Sequence, residues 1–282
     1  MIENRPWLTV TSHATLMVGI ALVALPVWMA LVASTHPASA FGVGHIPLWF
    51  GDAGVETWKT VLFEKAGNGV ETPVFLMMLN SLVMALGITF GKIAISLLSA
   101  YAIVFFRFPF RNFCFWVIFM TLMLPVEVRI VPTYEVVANL DLLNSYTGLT
   151  LPLIASATAT FLFRQCFLSI PGELVEAARM DGAGPWRFFF DILLPLSRTN
   201  IAALFVILFI YGWNQYLWPL LITTDDAYYT LVMSIKRMLS VTDGDIAWNQ
   251  IMATTLLAML PPVAVVIGMQ KLFVKGLVDS EK

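Results

Sequence analysis

Glu176-Ala177-Ala178-Arg179-Met180-Asp181-Gly182, followed at fixed distance by Ile192, Leu194 and Pro195, forms a short polar island among long apolar runs. As a pattern it is E-A-A-x3-G-x9-I-x-L-P, and its residues spell two helices joined by a sharp turn. Pro171 suits a first helical turn, and Glu173 and Glu176 place negative charge near the positive end of the helix dipole. Gly182 can take the left-handed conformation that stops the first helix, and Pro185 can start the second. Ala177 and Ala178 leave a face small enough for another protein's groove to close around it. An ordinary surface hairpin is the plainer alternative, because Ala is also simply a good helix former.

Around this island the 282-residue chain is 59% hydrophobic and only 12% charged. Soluble domains carry about 25% charged residues, which excludes an ordinary water-soluble globule. Runs of about twenty apolar residues span a bilayer as helix, where each segment satisfies its own backbone. Six runs qualify, near 14–34, 79–105, 113–133, 145–165, 201–222 and 247–270. The predicted fold class is therefore all-α integral membrane, with six transmembrane helices and the island as a cytoplasmic loop. With six spans, Arg5, Arg107, Arg111, Arg164, Arg179, Arg187, Arg198, Lys271 and Lys275 share one side, which the positive-inside rule makes the cytoplasm. Only Lys59, Lys65, Lys236 and Arg237 lie on the other, in loops that also carry Asp243 and Asp245. Both termini are then cytoplasmic. Arg5, an apolar run and Ala38-Ser39-Ala40 also resemble a signal peptide with its cleavage site. The run from Ala14 to Ala33 is long for a signal, and cleavage would leave five spans, so an uncleaved anchor is expected. The net charge of −2 points to no partner, and no basic stretch suggests nucleic acid.

Three segments are expected: an anchor helix with its outer loop, 1–74, a five-helix core holding the 171–195 loop, 75–275, and a cytoplasmic tail, 276–282. The stretch from Thr35 to Pro73, with Trp49 and Trp58, is expected to fold against the outer face. Pro125, Pro132, Pro152 and Pro219 interrupt helical runs, which suits helices bent around a pathway but is also common in membrane helices generally. Cys114 and Cys166 both fall at cytoplasmic ends, so no disulfide is expected and both read as small buried hydrophobes. His13, His36 and His45 do not have metal-ligand spacing.

Ionisable groups at membrane depth are costly and invite a functional reading. Lys92 lies near the middle of the second span, and Glu127 and Arg129 lie toward the outer end of the third. Asn214 and Gln215, flanked by Trp213, Tyr216 and Trp218, lie in the outer half of the fifth. Two cations with amide donors would suit an anionic solute. Structural alternatives stand beside this: Glu127 and Arg129 can pair or snorkel to headgroups, Lys92 can pair with Glu127, and the aromatics can be interface anchors. Gly87-x-x-x-Gly91-Lys92 lacks the spacing and final hydroxyl of a phosphate loop, and close packing through small residues explains it better.

The island resembles the cytoplasmic coupling loop of binding-protein-dependent ABC importer permeases. Leu124-Pro125-Val126-Glu127-Val128-Arg129, the stretch 212–220 and the ending 276–282 narrow the resemblance to permeases for sn-glycerol-3-phosphate. Related sugar permeases commonly have Glu where Gln215 stands and uncharged residues at Lys92 and Arg129, and these departures suit an anionic cargo. The resemblance implies that Glu176, Ala177, Ala178, Asp181, Gly182, Ile192, Leu194 and Pro195 couple the chain to an ATPase. It implies a second permease subunit, two copies of a cytosolic ATPase that bind ATP and Mg, and a periplasmic binding protein. No cofactor is then expected in this chain, which would be no enzyme. A permease for a neutral sugar, or a secondary transporter working alone, are the alternatives.

Overall fold

The computed structural model describes residues 6–41, 47–121, 126–240 and 246–279. Arg5, His45, Leu124, Pro125, Asp243, Asp245 and 280–282 lie outside them, as do the side chains of Glu127, Lys271 and Lys275. In chain order the helices are α1 (Pro6–Ala33), α2 (Gly54–Lys59), α3 (Val74–Phe105), α4 (Arg111–Met120), α5 (Val126–Asn139), α6 (Tyr146–Thr150) and α7 (Ala157–Leu168). They continue with α8 (Gly172–Met180), α9 (Pro185–Arg187), α10 (Leu194–Trp213), α11 (Leu217–Ile222), α12 (Leu231–Met238) and α13 (Trp248–Asp279). Two compact units result: Met1–Leu76 with Ser234–Leu260, and Met77–Met233 with Pro261–Lys282.

Among the described residues, four helical stretches are long and apolar enough to cross a membrane: Trp7–Ala33, Val74–Phe105, Pro185–Trp213 and Trp248–Gln270. At ~1.5 Å per residue the 32 residues of α3 extend about 48 Å, which exceeds a hydrocarbon core of about 30 Å. The span expected near 145–165 is broken instead, into Tyr146–Leu153 and Ala157–Leu168 bent by 51°. The break has local causes. Pro152 cannot donate to the helical ladder, and Ser156 takes an extended conformation and accepts the Ala159 N–H, so a new helix starts there. The span expected at 201–222 also stops early, at Trp213. Pro219 has no N–H for the Gln215 carbonyl four residues back, so α11 restarts separately at Leu217. The run expected at 113–133 is represented by the ten-residue α4 and, beyond 122–125, by α5.

In the first unit α1 leaves large apolar side chains such as Leu16, Ile20 and Val23 exposed, as suits a surface facing lipid. Its end is tied to the following segment by a Trp58 Nε1–H bond to Ser34 Oγ and a Gly51 N–H bond to Thr35 Oγ1. That segment does not stand alone, because Asn68 accepts the Ala247 N–H and donates to the Met238 carbonyl. Asn249 likewise donates to Thr57 Oγ1.

In the second unit α3 is the central strut. A side chain on Gly87 would meet Thr150 Cγ2 at 2.8 Å, and one on Gly91 would meet Ile154 Cγ2 at 2.6 Å. The two glycines are therefore a packing seam, as their spacing predicts. Gly212 of α10 comes similarly close to Ala85. Ile93, Leu97, Ala100 and Tyr101 of α3 share a buried cluster with Phe163 and Phe167 of α7, Ala178 of α8, and Leu204 and Leu208 of α10. Cys114 is exposed, contrary to expectation, because it lies on an outward face of α4, while half-buried Cys166 accepts a hydrogen bond from Asn200 Nδ2.

Candidate functional site

The hairpin after α7 is built from its own backbone chemistry. Pro171 precedes α8 as its cap and does not enter the first turn. Glu173 in the first turn and Arg179 in the last both complement the helix dipole. At the far end Gly182 has a φ of 70°. Its N–H donates to the Arg179 carbonyl at 3.1 Å, and the Ala183 N–H donates to the Ala178 carbonyl at 2.9 Å. These two bonds are a Schellman closure with Gly at the left-handed position. Open space surrounds the missing Gly182 Cβ, so dihedral angle alone calls for glycine there. Gly184 is extended, and Pro185 opens α9.

The faces of α8 differ from the sequence expectation. Ala178 is only 5% exposed and belongs to the buried cluster with Tyr101 and Phe188, so it cannot present a docking face. The helical period explains this: Val175 and Ala178 are three residues apart and share the inward side. Glu176, Ala177, Asp181 and Gly182 are exposed, together with Met180 at 84% and Trp186 at 65%. Ile192 and Leu194 pack against the same inner cluster, and Pro195 is exposed in the first turn of α10. Because Pro195 cannot donate to the Asp191 carbonyl, the chain widens into a π turn over Phe188–Leu193. The second arm thus runs directly into a membrane-length helix.

A residue that the sequence reading missed fixes this arm. The Tyr101 hydroxyl, at the end of α3, donates to the Pro185 carbonyl at 2.8 Å. The Tyr101 ring lies among Phe105, Phe106, Phe188 and Phe189. A tyrosine ending a long apolar run is the available signal, since its hydroxyl needs an acceptor.

A second feature lies deeper in the same unit. Lys92 and Arg129 both line a cavity of about 530 Å³, along with Tyr211. Lys92 is 6% exposed, and its Nζ sits 3.8 Å from the centre of the Tyr211 ring. Among the described residues neither cation is in an ion pair. Asn214 caps α10 and is exposed, whereas Gln215 Nε2 donates to the Tyr211 carbonyl. Both amides occupy the gap between α10 and α11 and are absent from the described lining of the cavity. Tyr211 was not singled out from the sequence.

Residues 92–279 match the family described as binding-protein-dependent transport system inner membrane component. The chain is 60% identical over 283 residues to the sn-glycerol-3-phosphate transport system permease protein UgpE of Salmonella typhi. It is 58% identical over 282 residues to the protein of that name from Escherichia coli strain K12. Both comparisons cover 100% of each chain. A bacterial ABC transporter involved in the import of the acidic polysaccharide alginate has the same fold, with a TM-score of 0.80 at 18% identity over 96% of this chain and 98% of that one. With its membrane-length helices and a family match over most of its length, the chain belongs to the binding-protein-dependent transport system inner membrane components and is a multi-pass protein of that membrane.

Proposed function

We propose that the chain is a permease subunit of an ATP-driven importer, carrying sn-glycerol-3-phosphate and glycerophosphodiesters across the inner membrane by alternating access. The observation that carries this reading is 58–60% identity along the entire length to permeases named for sn-glycerol-3-phosphate transport. The hairpin supports it: a loop that exposes Met180 and Trp186 is chemically suited to an apolar groove on a protein partner. In this reading Glu176, Ala177, Asp181 and Gly182, with Met180 and Trp186, form the surface gripped by a cytosolic ATPase. Ala178, Ile192, Leu194 and Pro195 hold its shape from behind.

The hairpin and both termini lie in the cytoplasm. Six spans are counted when α4 with α5 makes the third and the broken pair makes the fourth. Residues 1–74 then form the anchor and outer loop, 75–275 the core and 276–282 the tail. A second permease subunit encloses the pathway with this one, two ATPase copies bind ATP and Mg, and a periplasmic binding protein delivers cargo. Lys92, Arg129, Asn214 and Gln215 border the pathway. ATP hydrolysis belongs to the partner, and this chain transmits its motion. Uptake assays in cells lacking other glycerol phosphate importers test the assignment. Uptake inhibited by sn-glycerol-3-phosphate and not by maltose is expected, with Met180→Cys forming a cross-link to the ATPase. Competition by maltose alone, or a cross-link only to periplasmic proteins, would overturn it.

A further inference from the structure

We propose that the broken fourth span builds a phosphate seat: the first turn of α7, Lys92 and Arg129 together bind the phosphoryl group of the passing solute, with Tyr211 holding the lysine in place. This rests on the permease reading and assigns it a binding chemistry. Ser156, Ala157 and Thr158, at the start of α7, line the same cavity of about 530 Å³ as Lys92, Arg129 and Tyr211. The Ser156 hydroxyl is already engaged by the Ala159 N–H, and the Ser156 carbonyl accepts from the Thr160 N–H. The amides of Ala157 and Thr158, first and second in the helix, have no partner within it and stand at the positive end of the dipole. Such an end binds phosphate oxygens readily.

The cations supply the second, independent argument. Lys92 is almost wholly buried in a membrane-length helix, and no hydrogen bond or ion pair holds it among the described residues. What it has is the face of Tyr211, 3.8 Å from its ammonium, which stabilises a cation without neutralising it. Arg129 adds a planar fork to the same cavity. Charge placed this way at membrane depth is costly until an anion arrives. A phosphomonoester, with its terminal oxygens free, matches two cations and a helix terminus better than a neutral sugar does.

The test uses the assembled transporter in proteoliposomes with its binding protein, reading both sn-glycerol-3-phosphate uptake and binding-protein-stimulated ATP hydrolysis. Lys92→Gln and Arg129→Gln should each lower uptake about tenfold or more, the weight of a lost charge-assisted hydrogen bond, while stimulated hydrolysis persists. Tyr211→Phe, which keeps the ring, should retain more uptake than Tyr211→Leu, which should fall with the lysine variant. Uptake unchanged in both glutamine variants would overturn the seat, and equal losses in Tyr211→Phe and Tyr211→Leu would overturn the part given to the ring. If Lys92→Gln does not assemble, the exposed Arg129 carries the same comparison. Failure of the permease reading would appear separately, as absence of stimulated hydrolysis in the unsubstituted complex.

Discussion

The hairpin and the cation-lined cavity treat polarity in opposite ways. Around α8 Val175 and Ala178 turn inward, the charged residues turn outward, and large apolar side chains, Met180 and Trp186 foremost, remain uncovered. In the cavity the order inverts, with a lysine buried in an apolar helix and no carboxylate beside it among the described residues. Each arrangement is incomplete in its own way. Exposed apolar surface asks for a protein groove, and buried positive charge asks for an anion. Met180 and Trp186 sit on α8 and α9 and the buried lysine on α3, so one can be damaged while the other is left intact.

Gly182→Pro should break the hairpin side of this contrast most severely. Proline fixes φ near −65°, whereas Gly182 sits at 70°, and it deletes the bond to the Arg179 carbonyl. A local cost of about 3 kcal/mol or more is expected, visible as lost uptake and lost stimulated ATP hydrolysis together. Ala178→Phe should cost about 1–3 kcal/mol by overfilling the inner cluster, measured as a lowered melting temperature of the subunit in detergent. Were Ala178 a docking face, the melting temperature would stay constant while ATPase binding fell, so this variant separates inward from outward roles. Gly91→Ala meets Ile154 at 2.6 Å and should destabilise the packing seam by about 1–2 kcal/mol, again read by thermal unfolding. Tyr101→Phe removes one hydroxyl bond to Pro185 and should cost about 1 kcal/mol. Its sharper readout is the ratio of ATP hydrolysed to solute moved, which should rise if this bond keeps the second arm in register. Arg187→Ala breaks an exposed 3.5 Å pair with Asp191 and should change stability by less than about 0.5 kcal/mol.

The two regions also differ in how much of them is written locally. The hairpin could be anticipated because Gly182 and Pro185 act on their own backbone, and a left-handed turn or a first helical turn needs no distant partner. The inward turn of Ala178 could not, since its period is shared by Val175 on a helix with apolar residues on more than one side. The cavity was legible only as isolated charges. Lys92 and Arg129 are 37 positions apart (129 − 92), and their meeting with Tyr211 depends on three helices packing together. The break before α7 did leave a trace, Pro152 followed by Ser156, but length and hydropathy outweighed it and suggested one continuous span. The bonds from Asn68 to Ala247 and Met238 have no local signature at all.

From Pro185 to Trp213 the chain is a single membrane-length helical stretch of 29 residues that begins inside the hairpin. At ~1.5 Å per residue it reaches about 44 Å, so a swing of about 5° at its hairpin end displaces the opposite tip by about 4 Å. Tyr211 rides near that far tip. A push on the loop is therefore geometrically a push on the ring beneath the Lys92 ammonium, with no intervening hinge needed other than the widened turn before Pro195.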